Sequence, residues 1–185
     1  MQPILKVDLN TGKIEAFTIP AEFERDFLGG ASLGARLLYD SLTRELDPLS
    51  PEAPLLILNG PLSGTAGPTV GRFVVCGKSP ATGLWAESNC GGFFGPELRM
   101  AGWDGLWLTG KAEKPVYLLI QDARVEIREA SALWGQDTYE VQESVKKETG
   151  LQGVRTLGIG IAGEAQLPYA LLLCDHGRVA GRTGL

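Results

Sequence analysis

The chain has 185 residues, 44% of them hydrophobic, which is enough apolar material for one compact domain with a sizeable core and no need of disulfides or a structural metal. Its 17 Lys+Arg against 22 Asp+Glu leave a formal charge of −5, so nucleic acid and anionic membrane are poor partners. The N-terminal stretch MQPILKVDLNTGKIEAF meets a charge every few residues, and no apolar run approaches the roughly 18 residues of a membrane span, which disfavours insertion and secretion.

Residues 4–9 and 13–19 are two short β-type runs about Asn10-Thr11-Gly12 and predict a hairpin. Pro20 opens a helix with Phe23, Phe27 and Leu28 on one face; Gly29-Gly30 breaks it, and Leu33, Leu37 and Leu38 mark a second helical stretch. Residues 47–51 read as a turn. Residues 55–58 form a short apolar strand ending at Asn59-Gly60-Pro61, and 72–76 another, after a loop over 62–71. A strand at 84–87, a glycine-rich turn, a short helix opened by Pro96 and a strand at 106–109 complete the middle.

The second half repeats this grammar. Residues 116–120 and 125–127 form a hairpin. Asp137 with Glu140 is a capping box for a helix whose apolar face is Val141 and Val145 and whose end is Gly150. Residues 155–163 then stand where 55–64 stood, and 169–174 where 72–76 stood. The expectation is an internal duplication, about residues 1–80 and 113–185, within a single domain over 1–185. Two such halves burying their sheets against each other give an α+β fold of two β-sheets rather than alternating βαβ units.

Glycine is the outlying component, 25 of 185 residues against a usual share of about 7%. The glycines sit singly or in pairs between apolar segments, a pattern that fits tight turns presenting backbone amides to a ligand. Cys76, Cys90 and Cys174 are an odd number without CxxC spacing, which argues against a disulfide framework, a zinc site or a cluster site within the chain and fits a reducing cytoplasm.

Two phosphate-loop look-alikes fail on their surroundings. GIGIAG at 158–163 matches GxGxxG, but Pro168 and a strand-like run occupy the place of the helix that would hold a pyrophosphate. Gly77-Lys78-Ser79 lacks the required upstream glycine, Arg72 standing there, and Pro80 forbids the following helix. His176 is the only histidine, so no triad or His-rich metal site can be assembled, and no catalytic residue is assigned in this chain. Arg72, Arg99, Arg178 and Arg182 differ from the surface charges in lying beside glycines or in the short helix. Forked donors next to exposed amides suit an anion or an electron-rich heterocycle, and Arg72 and Arg178 fall in corresponding regions of the two halves. The plainer reading of each is a surface salt bridge.

The stretches DPLSPEAPLLILNGPLSGT, GRFVVCGKSPATG, ESNCGGFFGPELRMAGWDGLWLTGKAEKPVYLLI and GRVAGRTGL, in this order along the whole chain, closely resemble the N-terminal domain of the tungsten-containing aldehyde ferredoxin oxidoreductase family. The resemblance implies a base of two β-sheets related by duplication that cradles tungsten or molybdenum held by two pterin dithiolenes. It implies a 4Fe-4S cluster beside the pterin, ferredoxin as electron acceptor, and oxidation of an aldehyde to a carboxylic acid; aromatic acyl-CoA reduction is the other chemistry of the wider family. By motif, Arg72 resembles the arginine between pterin and cluster, Asn89 and Gly91 pterin-site residues, and Arg178, Val179 and Gly181 the second pterin segment. Asn89 and the Val179 carbonyl would then help hold a magnesium ion bridging the pterin phosphates. Family members are about three times longer, so the helical domains with the cluster cysteines and acid/base residues are expected beyond residue 185 or on a partner subunit. The competing expectation is a non-catalytic cofactor-binding or assembly subunit, or a scaffold that forms homo-oligomers.

Overall fold

The computed structural model describes residues 1–182. The first hairpin forms as the alternation predicts: β1 (Ile4–Asp8) pairs antiparallel with β2 (Lys13–Phe17), Ile4 opposite Phe17. Pro20 caps α1 (Ala21–Phe27), and α2 (Gly30–Leu38) follows across the glycine pair. Next come β3 (Leu55–Asn59), β4 (Phe73–Lys78), β5 (Trp85–Cys90), α3 (Phe94–Met100) and β6 (Gly105–Thr109). These six strands make one sheet in the order β2-β1-β6-β3-β4-β5, with β6 parallel to β1 and antiparallel to β3.

Strand alternation divides the core in two. Ile4, Leu56, Leu58, Val74 and Cys76 face α1 and α2, packing with Leu33, Leu37 and Leu38. Leu5, Val7, Ile57, Phe73, Val75 and Leu106 face the other way. They meet the second half of the chain: β7 (Val116–Gln121), β8 (Arg124–Glu129), α4 (Thr138–Thr149), β9 (Leu157–Gly158), α5 (Ile161–Glu164), β10 (Leu172–Cys174) and β11 (Arg178–Ala180). Leu118, Ile120, Val125, Leu157 and Leu172 pack on this face. The α4 start is the expected capping box, with Asp137 accepting from the Tyr139 and Glu140 amides while Glu140 accepts from the Asp137 amide, and Gly150 ends the helix in the left-handed region.

The α+β class follows, and the order hairpin, helix, strand, strand recurs in both halves. The second-half strands are divided, however, between a two-stranded sheet, β7-β8, and a three-stranded sheet, β11-β10-β9. Several boundaries differ from the sequence expectation for non-local reasons. β5 runs on through Asn89 and Cys90 because β4 is long enough to pair with them. Only Leu172–Cys174 of the 169–174 run is a strand, since β9 supplies two partners. The one-turn α5 follows the GxGxxG match and ends before Pro168, too short for a pyrophosphate-binding helix. No helix among the described residues is long and apolar enough to cross a membrane.

Candidate cofactor site

Three sequence-predicted segments, about residues 71–72, 88–93 and 174–181, converge where β5 approaches β11. Gly71 lies against Gly92: a Cβ on Gly71 would stand 2.6 Å from the Gly92 carbonyl oxygen, so only glycine permits this backbone approach. Beyond it, β4 and β5 pair Phe73 with Cys90 and Val74 with Asn89, which sets Arg72 next to the turn at Gly91 and Gly92. The Ser88 hydroxyl donates to the Gly181 carbonyl at 2.7 Å, and the Phe93 amide donates to Asp175 Oδ2 at 2.9 Å. These two bonds join the 88–93 segment to 174–181. Arg72, Asn89, Arg178, Val179 and Arg182 are exposed around this junction, with Gly91 and Gly181 half-buried. A Cβ on Gly91 would meet nothing within 4 Å, so its backbone borders open space. The last residues of the predicted GRVAGRTGL segment, 183–185, lie outside the described residues.

The structure thus brings Arg72, Asn89, Gly91, Arg178, Val179 and Gly181 to one face and separates Arg99 from them. Arg99 Nε bonds Asp104 Oδ1 at 2.5 Å, Asp104 being fully buried, and its terminal nitrogens donate to the Pro61, Ser63 and Gly60 carbonyls. Arg99 is therefore no anion receptor. It shapes the 60–63 loop, where the Ser63 hydroxyl in turn donates to the Arg72 carbonyl at 3.1 Å, and so holds the backbone from which Arg72 projects. The Lys78 amine is equally committed, donating to the Thr43, Arg44 and Leu46 carbonyls at 2.6–2.9 Å, which removes it from phosphate binding. His176 sits apart against Glu143, Lys146 and the Tyr139 ring.

Two relations were not legible in the motifs. The antiparallel order β9-β10-β11 repeats β3-β4-β5, so β11, which carries Arg178 and Val179, answers to β5, which carries Asn89, and not to β4, which Arg72 precedes. The second relation lies beneath the face, where the Cys90 and Cys174 thiols are buried side by side. The hydrogen bond from Cys174 favours the Cys90 thiolate, aided by the charges of Arg72 and Arg178, while the same bond and burial push the Cys174 thiol up. Both guanidinium groups therefore act on one point below the face.

Beside it, Asp175 Oδ1 lies 4.0 Å from Arg155, whose guanidinium stacks 4.5 Å over the exposed Phe93 ring. In a chain of net charge −5 the exposed Arg72, Arg178 and Arg182 are a local concentration of cations beside open backbone groups, chemically suited to a ligand with anionic arms.

Residues 4–185 match the family described as aldehyde ferredoxin oxidoreductase, N-terminal domain. A tungsten-containing aldehyde ferredoxin oxidoreductase of Pyrococcus furiosus is 43% identical over 181 residues, 98% of this chain and 30% of the relative. The WOR-like subunit of an aliphatic sulfonate oxidoreductase from the same organism is 35% identical over 196 residues, 31% of its length. The solved active-site complex BamBC of benzoyl coenzyme A reductase, in complex with 1,5-dienoyl-CoA, superposes with a TM-score of 0.96 at 38% identity, covering 99% of this chain and 28% of that one. The chain thus spans less than a third of the relatives it matches, and it belongs to the aldehyde ferredoxin oxidoreductase family, as that family's N-terminal domain.

Proposed function

We propose that this chain is the pterin-cofactor-binding domain of an oxidoreductase that converts an aldehyde to a carboxylic acid. The observation that carries the reading is the convergence of Arg72, Asn89, Gly91, Arg178, Val179 and Gly181 on one face, fixed by the Ser88–Gly181 and Phe93–Asp175 bonds. The residues present fit such a group. Forked guanidinium donors recognise phosphate arms, the backbone at Gly91 is open to close approach, and Asn89 on β5 and Val179 on β11 would offer a side-chain and a main-chain oxygen to a magnesium ion.

When bound, a tungsten or molybdenum bis-pterin would supply two-electron chemistry: aldehyde and water give carboxylic acid, two protons and two electrons. The chain's own residues do the positioning. Arg178 and the Gly181 backbone would hold one arm, and Asn89 and Gly91 the other. Arg72 would stand beside the group, its delocalised charge stabilising added electron density, and a 4Fe-4S cluster liganded outside this chain would supply the route to ferredoxin. No side chain described here serves as acid or base in the reaction.

The 0.96 TM-score with the benzoyl coenzyme A reductase complex favours a second reading, in which the same cradle serves reduction of an aromatic acyl thioester. Assay of the full-length holoenzyme separates the two. Aldehyde-dependent reduction of ferredoxin or a viologen dye is expected; reduction of an aromatic acyl-CoA without aldehyde activity would establish the second reading, and neither would overturn both. Arg72→Lys in that protein is expected to fold and retain metal but to shift the cluster potential in an EPR-monitored titration and slow turnover. An unshifted potential with wild-type turnover would make Arg72 scaffold.

A further inference from the structure

The turn after β5 and the turn between β10 and β11 meet back to back, and each depends on the shape of the other. Gly92 has a φ of 119°, and a Cβ there would stand 2.8 Å from Asp175 Oδ2, 3.3 Å from Arg178 Cγ and 3.4 Å from Cys174 Sγ. Any side chain at this position would push the two segments apart. Asp175, opposite, has a φ of 44°, a left-handed conformation that a non-glycine residue keeps only where its surroundings hold it. It is held by the Phe93 amide, donating to Asp175 Oδ2 at 2.9 Å, and by the Thr156 carbonyl, accepting from the Asp175 amide at 3.1 Å.

The carboxylate acts through both oxygens. Oδ1 lies 4.0 Å from Arg155 Nη1, and the same guanidinium is 4.5 Å from the centre of the Phe93 ring. Amide, carboxylate, guanidinium and ring close a cycle over three segments distant in sequence: residue 93 after β5, 155 ahead of β9 and 175 after β10. An amide donating to a carboxylate is a charge-assisted bond, and a guanidinium over an aromatic face fixes the plane of the ring as well as the position of the charge. The Asp175 side chain is 14% exposed, which spares these contacts most of the screening that weakens surface pairs. In sequence, Asn89 and Gly91 on one segment and Arg178 and Val179 on the other lie between this cycle and the Ser88–Gly181 bond of 2.7 Å.

We propose that Asp175, acting with Arg155 and Phe93, is a positioning residue of the cofactor face. It sets the span between the Asn89–Gly91 segment and the Arg178–Gly181 segment, so that two anionic arms of one ligand meet donors already at the right separation. The inference rests on the pterin reading above and deepens it by assigning a role to three residues outside the six of that site. Preorganisation of this kind lowers the cost of binding, since neither segment has to be ordered when the ligand arrives. The Ser88–Gly181 bond keeps the segments joined when the cycle is broken, so loss of Asp175 is expected to loosen one end of the face and leave the fold in place. Arg155 and Phe93 act through Asp175 and the backbone it holds, not on the ligand.

Amide hydrogen exchange and pterin retention, both measured on the full-length protein, test this. In Asp175→Ala the Phe93 amide is expected to exchange about 30-fold faster while the β3–β4 ladder stays unchanged. Release of the pterin group in mild urea, read by its fluorescence once free, is expected to be about tenfold faster, and the EPR line shape of the bound metal to change. Asp175→Asn keeps an oxygen for the Phe93 amide and is expected to bring exchange and release back within about threefold of wild type. Should Asp175→Ala fail to fold, Arg155→Gln is expected to speed release about threefold with the same change of line shape. Wild-type exchange at Phe93 in Asp175→Ala would overturn the cycle. Fast exchange there with wild-type release and line shape would overturn the positioning role, as would Asp175→Asn releasing the group as fast as Asp175→Ala. A wild-type protein without a pterin, shown by its pterin content before any variant is made, would overturn the cofactor reading and the positioning role with it, and Phe93 exchange would still decide whether the cycle forms.

Discussion

β4 and β7 are six-residue strands of similar apolar character, FVVCGK and VYLLIQ, yet every position of β4 is buried and none of β7 is. β4 has strands on both edges, two helices on one face and the second half of the chain on the other; among the described residues β7 has one neighbouring strand. Burial in this molecule is set by how many sides of a strand are covered, and hydrophobicity only makes the covering favourable.

Truncations sharpen that contrast. Phe73→Ala, which empties a site packed 5.3 Å from the Phe94 ring, is expected to cost about 3–5 kcal/mol in urea unfolding, whereas Leu118→Ala in β7 should cost about 1–2; equal losses would break the comparison. Charges should divide the same way. Arg99→Leu strands the fully buried Asp104 carboxylate and is expected to cost about 3–5 kcal/mol. Arg128→Leu, which disturbs the half-buried surface network with Glu126, Glu148 and Tyr117, should lower thermal stability by about 0–1 kcal/mol.

A smaller effect tracks pH. Burial pushes the Cys76 thiol up to about 12 from its usual 9.0. The folded state therefore holds this proton more tightly than the unfolded state, so the stabilisation is complete below pH 9 and lost as pH rises toward 12, about 1 kcal/mol by pH 10. Denaturant titrations of Cys76→Ala should show that alkaline slope reduced; an unchanged slope would place its origin elsewhere. The smallest change belongs to the second half's one strong local signal: Asp137→Ala should cost about 1 kcal/mol and fray α4 at its start, read by exchange of the Tyr139 and Glu140 amides.

What was legible in the sequence was local. Both hairpins, the Pro20 start and the Asp137 capping box are decided within a few residues, and each formed where expected. The candidate site residues were read from long family motifs, and the fold brings Arg72, Asn89 and Arg178 of those segments to one face. What depended on distant partners was not. β11 exists as a strand because β10 pairs with it, Leu172 opposite Ala180; its three residues between glycines carry no strand signal alone. Arg99 looked like Arg72 until Asp104 and three loop carbonyls claimed it. The correspondence of the strand carrying Arg178 with β5 emerges only from strand order, since composition near Arg72 and Arg178 suggests another pairing.

The three carbonyls gathered on the Lys78 amine bear on how this chain tolerates change. The Thr43, Arg44 and Leu46 oxygens are main-chain atoms, so any sequence at those positions offers them, and the conformation of residues 43–46 is dictated from a strand more than thirty positions away. Drift in that loop is buffered so long as its length is kept. The constraint is concentrated instead on one ammonium group whose loss or acetylation would release the whole segment at once.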